Sequence, residues 1–161
     1  MRKKLEHAEI SVSEPFNPNA TISAEEFINT ARSYVGTPYA SQGRSRNGTD
    51  CGGLLLMVGR ELHLTDLEVL GYSQNPDGKT FDSLLNMVLV KRKNRNNVQP
   101  GDIIACDYGE GIQHTAIVVR RDSETRILVI HAKRKGGVCE QYLHGVDYRG
   151  WVGTYRLRHL K

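Results

Sequence analysis

The sequence holds no apolar run approaching the roughly 18 residues of a membrane-spanning helix. Its basic start, Met1-Arg-Lys-Lys-Leu-Glu-His7, leads into Glu9, Ser11, Ser13 and Glu14 rather than into an apolar h-region. Neither a membrane span nor a signal peptide is expected. Cysteine is scarce: positions 51, 106 and 139 are an odd number with no C-x-x-C spacing, which argues against a disulfide scaffold or a zinc ribbon and leaves room for one reactive thiol. No internal repeat is visible, and no metal or cofactor is expected. The basic residues are not interleaved with aromatics and match no nucleic-acid reading motif, so nucleic acid is not an expected partner. What is present is 161 residues, 39% hydrophobic and 25% charged, enough for one core where two would be marginal. The net charge of +4, 22 basic against 18 acidic residues, suits anionic partners without naming one.

Residues 1–21 are polar, contain Pro15, Asn17, Pro18 and Asn19 and lack periodicity; they read as an N-terminal arm, flexible or held by a partner. Ser23-Ala-Glu-Glu26 is a capping-box pattern. Phe27, Ala31, Tyr34 and Val35 then share a helical face, with Gly36 suited to the left-handed position after the helix. A Gly/Ser/Asn/Arg-rich loop, Thr37 to Thr49, precedes Asp50, a favoured N-cap, and the apolar run Cys51 to Leu62, which predicts a buried helix starting at Cys51. A third helix is expected around Thr80 to Leu89, on Phe81, Leu84, Leu85 and Val88. Beyond the basic stretch Lys91–Arg95 the character changes to short β-branched runs: Ile103–Cys106, His114–Val119, Arg126–His131, Gly137–Tyr142 and Trp151–Leu157. Helices first and about five strands second predict an α+β domain, helices packed on an antiparallel sheet.

Cys51 directly follows a helix cap, where unsatisfied N–H groups and the helix dipole favour thiolate over thiol. First-turn N–H groups there also suit an oxyanion. A small buried cysteine filling a core gap is the competing reading. A nucleophilic cysteine needs a base. His114 opens one β run and His131 closes the next, so a hairpin would bring both imidazoles to one end of the sheet, one to pair with the thiol and the other to orient it. Each histidine alone reads equally as a strand-end residue; the three together require three elements to place suitable groups.

At this point the residues resemble a known family. Tyr34-Val-Gly-Thr-Pro-Tyr39, Gly43 and Asp50-Cys51-Gly-Gly-Leu54 resemble the nucleophile region of the NlpC/p-sixty peptidases, papain-like cysteine endopeptidases of bacterial cell-wall peptides. Val98-Gln-Pro-Gly-Asp102-Ile resembles that family's proline-glycine-aspartate lead into a strand. His114-Thr-Ala-Ile-Val-Val resembles its base-bearing strand, and Ile130-His131-Ala the strand of its third residue. The resemblance implies a papain-like domain over residues 22–161, with Cys51 as nucleophile, His114 as general base and His131 orienting that base. Tyr39, 12 positions before Cys51, matches a tyrosine whose hydroxyl faces the active site, with ordinary packing after a Pro turn as the alternative. Asp50 is expected to cap the helix rather than move protons. Gly52 departs from the family's usual serine; the backbone N–H survives, and substrate positioning is what the change puts in doubt.

The implied activity is hydrolysis of peptidoglycan stem peptides after a D-glutamyl residue joined to a diamino acid. Gly36-Thr-Pro-Tyr39, the insertion Leu70–Gly78 and the ending Trp151–Leu157 resemble phage and prophage tail-associated members. They imply a virion component made in the host cytoplasm, carried to the wall, and bound to tail hub or tip proteins through its arm. Two rivals stand beside this reading: a structural tail module with little or no hydrolysis, and amide or acyl transfer on the same three residues. His7, His63, His144 and His159, together with Cys106 and Cys139, read as bystanders, and Lys133-Arg-Lys135 as a solvated loop or an anion-holding one.

Overall fold

A computed structural model of the chain describes residues 2–5, 8–11, 19–71, 81–83, 85–86, 89–92, 97–143, 145–158 and 160–161. Most of the Leu70–Gly78 insertion, Thr80, Leu84, Val88, the end of the basic stretch, His7, His144 and His159 lie outside the described residues.

Helix α1 (Ala24–Arg32) starts where the Ser23 hydroxyl accepts the Glu26 N–H at 3.1 Å and buries Phe27, Ile28 and Ala31. It stops at Arg32, short of Gly36, so helical spacing no longer governs Val35, which is 44% exposed, while Tyr34 remains buried. Gly36 has a φ of +94° and donates its N–H to the Val138 carbonyl at 2.9 Å, so it serves a turn that reaches the sheet rather than the helix end. The ladder Arg2–Leu5 (β1) and Ala8–Ser11 (β2) pairs antiparallel and joins Glu68–Leu70 (β5) through β2. Between them in sequence lies the small hairpin Arg44–Ser45 (β3) with Gly48–Thr49 (β4), which leads into α2 (Cys51–Glu61).

The remaining strands are Leu89–Arg92 (β6), Ile103–Asp107 (β7), Ile112–Arg121 (β8), Ile127–Lys133 (β9), Gly137–Tyr142 (β10) and Trp151–Leu157 (β11), with the short helix α3 (Gly145–Gly150) before the last. They form one six-stranded antiparallel sheet in the order β10-β9-β8-β7-β11-β6. The α+β architecture expected from the order of elements is present. The sixth strand falls where the sequence suggests a helix end and a basic loop, because β6 is recruited by β11 from far along the chain. Alternation sends Ile103, Ile117, Ile130 and Tyr155 towards α1 and α2, where Phe27, Leu54 and Val58 meet them. Ile104, Val118, Val129 and Trp151 form a second layer on the other face.

β7 begins from a pinned corner. Gly101 takes a φ of +82°, and the buried Asp102 carboxylate accepts the Gln99 N–H at 2.8 Å and Arg156 Nε at 2.6 Å. Gly101 N–H to Val118 carbonyl and Val118 N–H to Asp102 carbonyl, both 2.8 Å, fasten that corner to β8. This sets the register of the strand that carries His114.

Candidate active site

Asp50 caps α2 as its residue type predicts: one carboxylate oxygen accepts the Gly53 N–H and the other the Gln42 N–H, each at 2.7 Å. Arg44 lies beside it, its Nη1 3.6 Å from that carboxylate and its Nε 3.4 Å from Glu68 on β5, and it donates to the carbonyls of Gly43 and Val69. Glu68 also pairs with Arg60 on α2. A chain of alternating charges therefore fixes the loop before α2 and the start of the helix.

The two adjacent glycines have different reasons to be there. A Cβ on Gly53 would lie 2.4 Å from the Gly43 carbonyl oxygen, 2.5 Å from Thr49 Oγ1 and 2.7 Å from Arg44 Nη1, so the helix can approach the loop only without a side chain. A Cβ on Gly52 would meet nothing nearer than the Phe81 ring at 3.4 Å. Gly53→Ala is therefore expected to lower stability by about 2–3 kcal/mol, while Gly52→Ala or Gly52→Ser stays within about 1 kcal/mol of wild type. Urea denaturation of the variants checks both; equal losses at the two positions would contradict the difference in space.

Cys51 is half-buried at the first position of α2. Its thiol points at the Gln113 carbonyl at 3.9 Å, and its own carbonyl accepts the Thr115 hydroxyl at 3.4 Å. The residues on either side of His114 thus both touch Cys51. His114 and His131, both buried, meet across the β8–β9 hairpin with Nε2 of the first 2.9 Å from Nδ1 of the second and the rings edge-on at 60°. The hairpin thus brings the imidazoles together at one end of the sheet, and α2 supplies the thiol from the other half of the chain.

The thiol does not have the low pKa that a helix N-terminus suggests. Burial, with the Asp50 carboxylate second, pushes it up to about 11, against the lowering effect of hydrogen bonds from Thr115 and the Gly52 N–H. Desolvation of an anion outweighs the partial charges of a helix end. Burial likewise drives the His114 imidazole down to about 4, Asp147 opposing and Lys133 reinforcing the shift. At neutral pH the resting pair is thiol and neutral imidazole.

This has a consequence for acid stability. An unfolded imidazole takes its proton near pH 6.5, and the folded one resists until about 4, so stability is fully present above pH 6.5 and falls as the pH drops through that window. The loss is up to about 3 kcal/mol. Denaturant midpoints measured from pH 7.5 to 4 are expected to fall more steeply for wild type than for His114→Gln; parallel curves would contradict it.

Tyr39 is half-buried and bridges to Thr49, just before the cap. Its phenol is pushed up by burial and by Asp50, and Arg134 hydrogen-bonds it and pulls the other way; Cys51 lies within electrostatic reach. The turn carrying Arg134 is clamped to the Tyr39 loop, with Val138 N–H donating to the Thr37 carbonyl at 2.8 Å and Gly137, φ +67°, leaving only 2.2 Å between a Cβ and that same oxygen. Arg134 therefore borders the site, where sequence alone reads a solvated or anion-holding loop. Tyr108 and Asp147, which sequence reasoning does not single out, also border it. Cys106 and Cys139 are the cross-strand partners of His114 and His131, sheet thiols outside any disulfide. No group of side chains fit to hold a metal ion occurs among the described residues.

A model of the NlpC/P60 family matches residues 36–155. Among solved structures, the chain is similar to the NlpC/p60 domain of the peptidoglycan hydrolase SagA, at 18% identity and a TM-score of 0.60, over 84% of this chain and 100% of that one. An NlpC/P60 family protein from Bacillus cereus is 21% identical with a TM-score of 0.61, over 99% of this chain and 52% of that one. NlpC1 from Trichomonas vaginalis is 18% identical with a TM-score of 0.58, over 89% and 47%. The chain spans all of the first and about half of the other two, and at these identities the likeness is one of fold. No curated protein matches it.

Proposed function

The chain belongs to the NlpC/P60 family, and from that premise we propose that it is a cysteine endopeptidase of peptidoglycan stem peptides, with Cys51 as nucleophile, His114 as general base and acid, and His131 as the residue that orients His114. One observation carries this reading: the Cys51 thiol and carbonyl contact residues 113 and 115, on either side of a histidine whose Nε2 is 2.9 Å from a second histidine.

Either ring could donate in that hydrogen bond, and the proposed role of His114 selects the tautomer. With its proton on Nε2 and donated to His131 Nδ1, His114 keeps a lone pair on Nδ1 to accept a proton. Because the resting thiol is neutral, its deprotonation accompanies attack rather than preceding it. Sγ bonds to the amide carbon as its proton passes to His114, and the carbonyl electrons move onto oxygen. N–H groups at the start of α2 and the Tyr39 hydroxyl suit that developing charge. His114 then gives the proton to the leaving amine, the C–N bond breaks, and a thioester remains. Water attacks the thioester with His114 as base; Sγ leaves, takes back the proton and is restored. Asp50 shapes the helix start, and Gly52 packs beside the Phe81 ring with room for a small side chain.

The finer reading is cleavage after D-glutamyl, before a diamino acid, by a component of a phage tail or similar wall-penetrating particle. Residues 1–21 would be its arm and tail hub or tip proteins its partners. The motifs Gly36–Tyr39 and Trp151–Leu157 support it. Incubation with purified wall fragments of known chemotype tests the activity and the bond together: new amino termini on the diamino acid are expected. A folded protein that releases none favours the structural module. Recovery of the protein with intact particles tests the tail assignment; a protein that never sediments with them overturns it.

A further inference from the structure

The His114 ring has a second neighbour besides His131. Tyr108, in the turn between β7 and β8, lies over it with ring centroids 6.4 Å apart and planes 25° from parallel. The far end of Tyr108 is tied down too, because its hydroxyl donates to the Asp147 carboxylate on α3 at 2.5 Å. A ring that is 41% exposed would ordinarily move among rotamers; this one is bracketed by a carboxylate and an imidazole.

Both supports of that bracket are themselves fixed. Asp107 Oδ1 accepts the N–H groups of Gly109 at 2.6 Å and Gly111 at 3.0 Å, and both glycines take positive φ values, which bends the turn and presents Tyr108. On the other side, Cys106, the cross-strand partner of His114, donates its thiol to the Asp147 carbonyl at 3.4 Å. A Cβ on Gly150 would lie 2.8 Å from the Asp107 carbonyl oxygen and 3.1 Å from the Tyr108 ring, so α3 sits this close only because its last residue is glycine.

We infer that Tyr108 and Asp147 form a positioning pair that holds His114 and stabilises its imidazolium form each time it takes up the Cys51 proton; this rests on the roles proposed above for those two residues. When that proton arrives, a positive charge appears on a buried ring. The face of Tyr108 is electron-rich, but at 6.4 Å between centroids it lies just beyond the reach of about 6 Å for a strong cation–π contact, so its attraction is weak. The Asp147 carboxylate adds the larger attraction, relayed geometrically by the hydroxyl it holds. Groups around His114 come from every packed element: His131 and Lys133 from β9, Cys106 from β7, Cys51 from α2, Tyr108 from the turn and Asp147 from α3. Of these, Asp147 raises the basicity of His114 and Lys133 lowers it. Tyr108 stays protonated, its phenol pushed up by burial and by the hydrogen bond to Asp147, so it remains a neutral donor over the working range.

The test reads Cys51 directly and needs no wall substrate. Iodoacetamide labelling of Cys51, separated from Cys106 and Cys139 by peptide mass, is followed from pH 5 to above 11 in wild type, Asp147→Asn, Asp147→Glu and Tyr108→Phe. Asp147→Asn is expected to slow labelling about tenfold at pH 7, as one unit less basicity at His114 would do. Above pH 11, where the thiol ionises unaided, the rates should converge. Tyr108→Phe, which keeps the ring but loses the hydroxyl's hold on Asp147, should slow it about threefold, and Asp147→Glu should restore most of the rate. Should Asp147→Asn fail to fold, Tyr108→Phe alone decides. Labelling curves of the folded variants that superimpose on wild type overturn the pair's role. A wild type that labels as described but releases no amino termini from wall fragments overturns the proposed peptidase activity instead, and leaves the pair standing.

Discussion

Cys51→Ala is expected to abolish the release of amino termini from wall fragments, a loss on the order of 10⁴-fold or more, while leaving the fold intact. Both halves follow from the surroundings of the residue. The thiol touches the Gln113 carbonyl at 3.9 Å and takes hydrogen bonds from Thr115 and the Gly52 N–H, whereas the helix start is held by Asp50 and its two N–H bonds. Removing Sγ therefore leaves the cap, the loop and the hairpin in place, and the change in unfolding free energy should be within about 1 kcal/mol. Cys51→Ser is expected to be nearly as inactive, because an alcohol is harder to deprotonate than a thiol and the neutral imidazole of His114 is a weak base. Product formation followed by amino-group labelling, with denaturation curves as control, checks it. Retention of a tenth of wild-type activity by folded Cys51→Ala would sink the covalent mechanism.

Asp102→Ala should have the largest effect on stability, about 3–5 kcal/mol, the range for removing one partner of a buried ion pair. The carboxylate is wholly buried, receives Arg156 Nε at 2.6 Å and also satisfies the Gln99 N–H. Its loss strands the guanidinium of Arg156, a side chain only 23% exposed, together with a turn N–H, at the corner where β7 begins. Asp102→Asn keeps the shape and part of the hydrogen bonding, so it should recover about half of the loss. Urea midpoints of the two variants measure the difference; an alanine variant within 1 kcal/mol of wild type, well below the range expected for a buried pair, would show that the corner is not a structural pin. Activity should follow stability here, since the corner sets the register of the strand bearing His114.

What the sequence discloses about this molecule is what short-range physics controls. Ser23 and Asp50 announce helix starts because a cap acts over three residues. The meeting of His114 and His131 is legible because a hairpin is local and strand ends are marked by polar turns. Strand β6 is not legible, since Leu89–Arg92 becomes a strand only by pairing with Thr154–Leu157. Tyr108 and Asp147 are hidden for the same reason: 39 positions separate them, and neither has a local signature. The ionisation of Cys51 is not legible from position alone, because the helix end is visible in the sequence and the surrounding desolvation is not. Gly53 shows the intermediate case; its glycine is conspicuous, but only the 2.4 Å approach to the Gly43 carbonyl oxygen explains it.

The division of the site between α2 and the β8–β9 hairpin bears on how it comes into being. The two histidines are 17 positions apart, and the thiol lies 62 positions upstream of the carbonyl it touches. Closing the longer loop costs only about 1 kcal/mol more than closing the shorter one, so distance along the chain is almost free once the protein has folded. Time is another matter, because distant contacts are made after near ones. On the proposed roles, the imidazole pair can form with its hairpin as a base with nothing to activate, and the Cys51 thiol is delivered only when α2 docks. The arrangement proposed for catalysis is then a property of the finished chain, assembled only at its last docking step.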